Sequence, residues 1–233
     1  MAKRPVFIPV YEGDLLVKTI FVEFIWYPGM SVSQKMKSVA SLHEAAVSMN
    51  ICQRPLEVSS KSSVTLGVSL SAFNLKTFTE KHKREFSVES AYQSSKKFER
   101  GGPYKDLMFA PSLVSKRDPR LKDSGALIGF EFYGEKWGLE PKTAFYDWLY
   151  INALKKNEWA FDLLEEYDAF TDIEFNPEKS INCQAYSVAL FKSLAGRGLL
   201  KKALESKESF LAFLSHLPVS NASENTVVQP RLV

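Results

Sequence analysis

The first 26 residues contain two runs of β-branched and aromatic residues, which restrict the fold more than any other feature of the chain. The runs are VFIPV and LLVKTIFVEFIW, separated by the turn-like EGD, and Tyr27-Pro28-Gly29 ends the second. Residues of these types favour β-strands, and Pro and Gly end them. Most of the long segments that follow repeat apolar residues at helical spacing instead. The sequence therefore predicts a single α+β domain, mostly helical with a small β-sheet.

Capping residues, periodicity and chain breakers predict where the helices and further strands lie. Ser31 or Ser33 caps the first helix, and Ser87 caps the second, which runs from Val88 to Phe98. Further helices are predicted at about residues 143–157 (with Pro141 in the first turn), 158–167, 182–194 and 199–217. The sequence predicts a short strand at 56–59, a strand or extended loop at 168–175, a loop or edge hairpin at the Ser-rich stretch 59–71, and irregular structure at 104–140.

Absent motifs exclude several classes of protein. Cys52 and Cys183 form no CxxC pair, HExxH does not occur, and the three histidines lie far apart, so we expect neither a metal site nor a cofactor. No phosphate loop, GxGxxG or GxSxG is present, which argues against nucleotide kinases, Rossmann enzymes and α/β-hydrolases. The apolar stretch 15–26 is too short to span a bilayer and no signal peptide precedes it, so a cytoplasmic protein without membrane contact is expected.

The second helix contains the residues best suited to chemistry. Glu89, Gln93 and Lys96 are spaced i, i+4 and i+7. A helix rotates by about 100° per residue, so the side chains of Glu89 and Lys96, seven residues apart, would point within about 20° of each other. They would lie two turns apart, or roughly 10 Å along the helix axis. A substrate could lie between the carboxylate and the amine. The same spacing also fits a solvated Glu–Gln–Lys ladder that stabilises the helix by about 0.2–0.5 kcal/mol.

Two blocks of the chain resemble the NADAR family, also called YbiA-like proteins. LSAFNL (70–75) and FSVESAYQSSKKF (86–98) resemble the family's SNF-type strand and its E-x-x-Y/F-Q-x-x-K helix, and Glu89, Tyr92, Gln93 and Lys96 match in register. The second block, DIEFNPEKSINCQAYSVALF, is similar to the pattern D-x-x-W-G…G-x-N-x-L-G, with Asp172 and Asn182 on its Asp and Asn. It departs from that pattern at three places: Phe175 replaces Trp, Asn176 replaces Gly, and Gln184-Ala185 replaces Leu-Gly.

The chain is more similar still to one branch of that family, the antitoxins that accompany DNA-modifying toxins of the DarT type. The similar blocks include EFIWYPGMSVSQKMKSVASLHEAA, LEVSSKS and FERGGPYKDL, within residues 1–195. The resemblance implies one domain over 1–218, with branch-specific strands and helix in 1–55 and the shared motifs in 56–195. Residues 219–233 are polar and aperiodic and are predicted to be a flexible tail.

The resemblance implies an ADP-ribosyl glycohydrolase that removes ADP-ribose from guanine in DNA and so reverses the toxin. The implied partners are ADP-ribosylated DNA, ADP-ribose as product and the cognate toxin, with no metal or cofactor. Glu89 can move a proton or stabilise charge at C1″ of the ribose. Lys96, if its pKa is depressed, can attack C1″ and hold the opened sugar as a Schiff base. These two residues are the predicted catalytic pair.

Further residues are assigned to ligand binding, each with an ordinary structural role as the alternative. The predicted ADP-ribose-binding residues are Lys61, Phe73, Asn74, Tyr92, Gln93, Asp172 and Asn182, and the predicted DNA contacts are Lys35, Lys37, Arg117 and Arg120. Asn182 could instead cap a helix, Phe73 could belong to the core, and the lysines and arginines could lie on solvated surfaces. Lys35 is also an alternative nucleophile.

Two other functions remain open from the sequence. One is an N-glycosidase of the same fold that acts on a small phosphorylated intermediate of the riboflavin pathway, as the wider family suggests. The other is a non-catalytic ADP-ribose reader, or an antitoxin that neutralises its toxin by binding. A fold alone does not separate these from the enzyme. The presence of both Glu89 and Lys96 favours the enzyme, because a reader would not require the pair.

Overall fold

The computed structural model describes residues 1–29, 31–80, 83–178 and 180–215. Within them the chain forms a single α+β domain, as the sequence predicts. The strands are divided among three small sheets. The predicted tail at 219–233 and the domain end at 218 lie outside the described residues. No helix in the described part of the chain has both the length and the apolar character needed to cross a bilayer.

The secondary-structure elements are numbered here in chain order. The strands are β1 (Ala2–Pro9), β2 (Val17–Phe24), β3 (Pro55–Glu57), β4 (Lys76–Phe78), β5 (Glu85–Ser87), β6 (Lys96–Phe98), β7 (Leu127–Phe132), β8 (Glu135–Trp137) and β9 (Ala169–Thr171). The helices are α1 (Val32–Ser48), α2 (Thr65–Ser69), α3 (Val88–Ser95), α4 (Ser112–Arg117), α5 (Arg120–Asp123), α6 (Ala144–Lys155), α7 (Trp159–Glu165), α8 (Gln184–Gly196), α9 (Leu200–Ala203) and α10 (Lys207–Ser215), and Lys105–Phe109 form a 3₁₀ helix.

The N-terminal hairpin and first helix form as predicted. β1 and β2 pair antiparallel along their whole length, and Ser31 caps α1 by accepting a hydrogen bond from the Gln34 amide at 3.3 Å. The largest sheet has the order β2-β1-β9-β3. Because β9 runs antiparallel to β1, with Phe170 opposite Phe7, the chain that follows β9 passes beside the first residues of β1.

The main core lies around α6 and α8, which pack against each other, and α8 also packs against the largest sheet. Tyr150 of α6 and Tyr186 of α8 are completely buried. The Tyr150 hydroxyl donates to the Leu70 carbonyl at 2.5 Å, and Tyr186 meets Phe7 edge to face at 5.7 Å. This core therefore fixes the position of the turn that follows α2 relative to α8.

The second predicted helix is shorter than the sequence indicates. α3 ends at Ser95, and Lys96–Phe98 form β6, which pairs with β7. The hydroxyls of Ser94 and Ser95 bond back to the Ala91 carbonyl at 2.9 and 2.7 Å, and such bonds compete with helical backbone bonds. The prediction of one helix to Phe98 is wrong in its last turn because strand pairing replaces it.

The Ser-rich stretch 59–71 is also more ordered than predicted. It contains α2 rather than a hairpin, and Gly67 of α2 lies so close to the Glu57 carbonyl oxygen that a Cβ there would collide with it. The block LSAFNL is not a strand but a turn, closed by the amides of Asn74 and Leu75 on the Ser71 carbonyl at 2.8 and 2.7 Å.

Residues 104–140 are not irregular, because they contain the 3₁₀ helix, α4, α5, β7 and β8. Contacts distant in sequence hold these short elements. The buried Ser115 hydroxyl, for example, donates to the Leu107 carbonyl at 2.8 Å. The last predicted helix is split into α9 and α10, and Ser206 starts the second part by accepting from the Ser209 amide at 3.0 Å. Short elements of this kind carry little periodicity for a sequence to show.

Candidate active site

A cavity of about 1080 Å³ opens between α3, α4, the turn 71–74 and the segment 172–184. Its volume is at the upper end of the range for sites that bury small organic ligands. The cavity contains both predicted catalytic residues and every predicted ADP-ribose-binding residue. The predicted residues that line it are Lys61, Phe73, Asn74, Glu89, Tyr92, Gln93, Lys96, Arg117, Asp172 and Asn182.

Glu89 lies in the first turn of α3, where Ser87 caps the helix by accepting from the Ser90 amide at 3.0 Å. The Glu89 amide donates to the Ala72 carbonyl at 2.9 Å, which ties α3 to the turn. Its buried carboxylate accepts from Gln93 Nε2 at 2.9 Å through Oε1. The same oxygen lies 3.7 Å from Lys116 Nζ. The side chain of Glu89 is thus held in place by an amide and a cation rather than by bulk water.

Lys96 reaches the cavity from strand β6 and not from the helix. The helical angle predicted for the Glu89–Lys96 pair does not apply, because Lys96 already pairs with Phe130 of β7. Its Nζ lies 4.9 Å from the centre of the Tyr92 ring. Burial lowers the pKa of Lys96, the neighbouring Glu89 raises it, and Lys116 lowers it further. The net effect is a pKa below the ordinary value, which increases the neutral fraction of the amine.

Tyr92 and Asn182 join the two motif blocks. Asn182 Nδ2 donates to the Tyr92 hydroxyl at 2.7 Å, and burial raises the pKa of Tyr92 above its usual value. Tyr92 also meets Tyr146 edge to face at 5.2 Å. The alternative role of Asn182 as a helix cap is wrong, since Cys183 occupies the N-cap position of α8. Its amide belongs to the cavity instead.

Two buried oxygen atoms of lining residues lack hydrogen-bond partners. They are Gln93 Oε1 and Asn182 Oδ1, and no described residue donates to either. A buried acceptor left without a donor costs about 1–3 kcal/mol. Hydroxyl or amino groups of a ligand would remove this cost. The cavity therefore presents acceptors suited to a ligand rich in hydroxyl groups, such as a ribose.

Glu57 lies beneath the cavity and holds in place two of the segments that form the cavity wall. Its buried carboxylate accepts from the hydroxyls of Ser59 and Thr171 at 2.5 and 2.7 Å and from the Ile173 amide at 2.8 Å. The Thr171 and Ile173 bonds flank Asp172. Burial and the nearby carboxyl of Glu57 raise the pKa of Asp172 well above its usual range, whereas the amides of Glu174 and Phe175, which donate to its Oδ1 at 3.0 and 3.2 Å, lower it. Asp172 thus presents a buried carboxyl group at the wall of the cavity.

The remaining lining residues take polar or aromatic positions at the wall. Phe73 is half-buried, with its carbonyl held by Ser112 Oγ at 2.8 Å, so it belongs to the wall and not to the core. Asn74 Nδ2 donates to the Val68 carbonyl at 2.9 Å. Lys61 Nζ donates to Ser60 Oγ at 2.8 Å and lies 3.8 Å from Glu174 Oε1.

The predicted DNA contacts do not lie together. Arg117 lines the cavity, whereas Lys35 and Lys37 lie on α1 outside it. Lys35 Nζ packs over the Trp26 ring at 4.6 Å. Arg120 lies outside the cavity and pairs with Asp106 at 2.6 Å and Asp118 at 2.9 Å. Since two carboxylates already neutralise Arg120, we do not carry it forward as a DNA contact.

Sequence reasoning missed three residues of the site: Lys116, Tyr146 and Gln184. Lys116 pairs with Glu89 and packs over Phe73 at 4.8 Å, although the sequence shows it only as the start of a basic run. Gln184 Oε1 accepts from the Ala72 amide at 2.7 Å and so joins α8 to the turn. In the sequence, the one indication of a role for Gln184 was that it stands where the family pattern has Leu.

Comparison with known proteins supports the family resemblance seen in the motif blocks and extends it over nearly the whole chain. A family model described as "DarT1-associated NADAR antitoxin" matches residues 2–224. No curated protein matches the chain. The match includes both motif blocks and all residues that line the cavity.

Proposed function

The chain belongs to the NADAR family, among the DarT1-associated NADAR antitoxins, and we propose that it hydrolyses the bond between ADP-ribose and guanine in DNA. NADAR proteins are generally ADP-ribose glycohydrolases. One observation carries the proposal: the buried Glu89 carboxylate and the Lys96 amine, whose pKa is lowered, open onto one cavity.

The first step of the proposed reaction transfers the sugar to Lys96. The neutral amine donates its electron pair to C1″ of the ribose, and the C1″–N bond to guanine breaks with its electron pair left on the guanine nitrogen. Glu89 takes the proton that the amine loses and passes it to that nitrogen. The products of this step are guanine with its hydrogen restored and a sugar attached to Lys96.

The second step releases ADP-ribose. The sugar ring opens as the Lys96 nitrogen forms a double bond to C1″, and water then adds across this Schiff base and frees the amine. The released aldehyde closes again to ADP-ribose. The carboxyl of Asp172 and the unpaired oxygens of Gln93 and Asn182 would hold the ribose hydroxyls during these changes. Lys61 and Arg117 would bind the diphosphate.

The test is a single-turnover assay on DNA that carries ADP-ribosylated guanine. We expect free ADP-ribose and unmodified guanine in equal amounts, and no release by a Glu89→Gln variant that still binds ADP-ribose. Binding of ADP-ribose without release by the wild-type protein would support the non-catalytic reader instead. Activity only on a phosphorylated riboflavin-pathway intermediate would support the other alternative, and either result would contradict the proposal.

The family also bears on partners and location. Association with the DarT1 toxin system is implied by the family's name. The proposed substrate is chromosomal or plasmid DNA modified by that toxin, which would place the protein in the cytoplasm. Reversal of the modification requires no contact with the toxin itself, so direct toxin binding is not part of the proposal.

A further inference from the structure

An aromatic residue flanked by two cations lies outside the cavity, at the end of β2. Arg4 Cζ is 5.6 Å and Lys35 Nζ is 4.6 Å from the centre of the Trp26 ring. We call these three residues the Trp26 cluster. Arg4 and Trp26 lie outside the two NADAR motif blocks, although Trp26 belongs to the branch-specific block 23–46, and neither residue has a role in the chemistry above.

The backbone under the Trp26 cluster is fastened to α1. Ser41 Oγ accepts from the Ile25 amide at 3.1 Å, and Ser38 Oγ accepts from the Tyr27 amide at 3.0 Å. Trp26 lies between these two anchors. Arg4 is placed by strand pairing opposite Val22. The cluster is therefore built on rigid elements, which is where a binding group is held most accurately.

Within the part of the chain that the structure describes, neither cation of the Trp26 cluster forms an ion pair. No carboxylate in the described residues lies within 4.0 Å of Arg4 or Lys35 in an ion pair. Arg4 Nε is buried and lacks a hydrogen-bond partner among the described residues, although Arg4 Nη1 donates to the Lys3 carbonyl at 2.9 Å. An unpaired guanidinium and an ammonium held on one ring suit a phosphate oxygen.

The Trp26 cluster lies next to the cavity. β1 runs antiparallel to β9, so Arg4 is beside the segment that follows β9 and begins with Asp172. Burial lowers the pKa of Arg4, while Glu178 and Asp172 lie near enough to raise it. Asp172 lines the cavity. Arg4 therefore lies beside one wall of the cavity that the modified base would enter.

We propose that the Trp26 cluster binds the sugar–phosphate backbone of the DNA strand beside the modified guanine. The inference rests on the proposed function and names a substrate contact outside the cavity. Two unpaired cations match the negative backbone, and Trp26 holds both at fixed positions while offering ring surface to a neighbouring sugar or base. The site would require DNA rather than the bare modified nucleoside as the best substrate.

The experiment compares two substrates, a short single-stranded oligonucleotide with one ADP-ribosylated guanine and the ADP-ribosylated nucleoside without phosphodiesters. Arg4→Gln and Lys35→Gln should each raise KM for the oligonucleotide about tenfold, as expected for loss of a charge-assisted contact, with kcat unchanged. Both should leave the nucleoside reaction unaltered. The slope of log KM against log salt should fall by about 0.7 for each lost phosphate contact.

Three controls make the result decisive. Lys201→Gln removes one exposed positive charge from α9 and should leave KM and kcat unchanged for both substrates. Trp26→Phe should keep most of the oligonucleotide preference and Trp26→Leu should lose it, because only the first retains a ring. Equal KM values for wild type, Arg4→Gln and Lys35→Gln on the oligonucleotide would overturn the inference.

Failure of the proposed function would be visible separately. If the wild-type protein released ADP-ribose from neither substrate, fluorescence anisotropy with the unmodified oligonucleotide at low salt would still test the cluster. Weaker binding by Arg4→Gln than by Lys201→Gln would support the Trp26 cluster, and equal binding would refute it. Loss of binding to an acidic peptide or to the toxin, but not to DNA, would assign the surface to a protein partner instead.

Discussion

At the scale of single residues, the carboxylate of Glu89 has both the isolation and the partners that proton transfer requires. Gln93 and Lys116 contact one of its oxygens, Oε1. Glu89→Gln preserves shape and the bond to Gln93 but removes the proton acceptor. We expect turnover to fall by about 10²–10⁴-fold with ADP-ribose affinity nearly unchanged, measured by stopped assays and calorimetry. Wild-type turnover in this variant would mean that Glu89 has no catalytic role and only stabilises the helix through its side-chain contacts.

Lys96 gives the most direct test of the covalent step. Borohydride added during turnover should trap ADP-ribose on Lys96, detected by mass spectrometry. Lys96→Arg should be inactive although it keeps the positive charge, because a guanidinium is not a nucleophile near neutral pH. An adduct on Lys61, which also lines the cavity, would move the nucleophile but keep the mechanism. If the Lys96→Arg variant were active and no adduct formed, the covalent step would be wrong, and Glu89 would act by activating water instead.

Lys116 offers a test that depends on charge and not on contact with substrate. Its ammonium lowers the pKa of Lys96, so its removal should raise that pKa. In Lys116→Gln the rise of kcat/KM with pH should therefore shift to higher pH than in the wild type. Lys122→Gln, which removes an exposed charge from α5 outside the cavity, should leave the profile in place. A shift in the opposite direction would contradict the proposed neutral amine.

At the scale of elements, a buried carboxyl between α6 and α8 makes their packing sensitive to pH. Asp147 of α6 accepts from the Ser187 hydroxyl of α8 at 2.6 Å, and burial raises its pKa to about 7 from 3.8. Between these values the folded state binds more protons than the unfolded state. The free energy of unfolding therefore falls as pH rises from about 4 to about 7, by up to about 4 kcal/mol at 1.4 kcal/mol per unit.

Asp147→Asn isolates this contribution. His43, whose pKa burial lowers to about 4, acts in the opposite sense, because stability that depends on its neutral form is lost as pH falls from 6.5 towards 4. His43 and the other carboxyls contribute equally to the pH dependence of stability in wild type and variant. Their contributions therefore cancel when the two free energies of unfolding are subtracted. Denaturant unfolding should show the variant gaining stability relative to wild type as pH rises from about 4 to about 7, with little further change above that range. Parallel stability curves would mean that Asp147 is ionised without cost in the folded protein.

The elements that the sequence predicted correctly are those whose local signals agree with their packing. The β1–β2 hairpin is rich in β-branched and aromatic residues, and α1 has both a Ser cap and an apolar face with Leu42 and Ala46 buried. The strands β3 and β9 overlap predicted strands, but most other elements of three to six residues were missed, because sheet partners and side-chain bonds from distant segments define them. β6 is the clearest case: its residues read as helix until β7 pairs with them.

The same distinction applies to the site. The motif residues Glu89, Tyr92 and Asn182 were identified because a family pattern marks them, and they do lie in one cavity. Lys116 could not be identified, since its contact with Glu89 depends on how α4 packs on α3. Arg4 could not be placed either, because only the pairing of β1 with β9 brings it beside Asp172.

At the scale of the whole molecule, charge distribution decides how the protein distinguishes modified from unmodified DNA. The net charge is only +3, and several surface cations are neutralised in ion pairs, as Arg120 is by Asp106 and Asp118. Nonspecific binding grows with the number of phosphates contacted and weakens steeply with salt. Because the net charge is small, we expect the ADP-ribose group to supply most of the binding free energy.

Competition between modified and unmodified strands tests this distribution of binding energy. Unmodified strand should compete only at concentrations of roughly 10⁻⁴–10⁻⁶ M at physiological salt, the range of nonspecific binding. Free ADP-ribose should compete at far lower concentration, and its effect should depend little on salt. The Trp26 cluster would then add a modest, salt-dependent preference for strands over nucleosides. Unmodified strand that competed as well as modified strand would show that the surface and not the cavity selects the substrate.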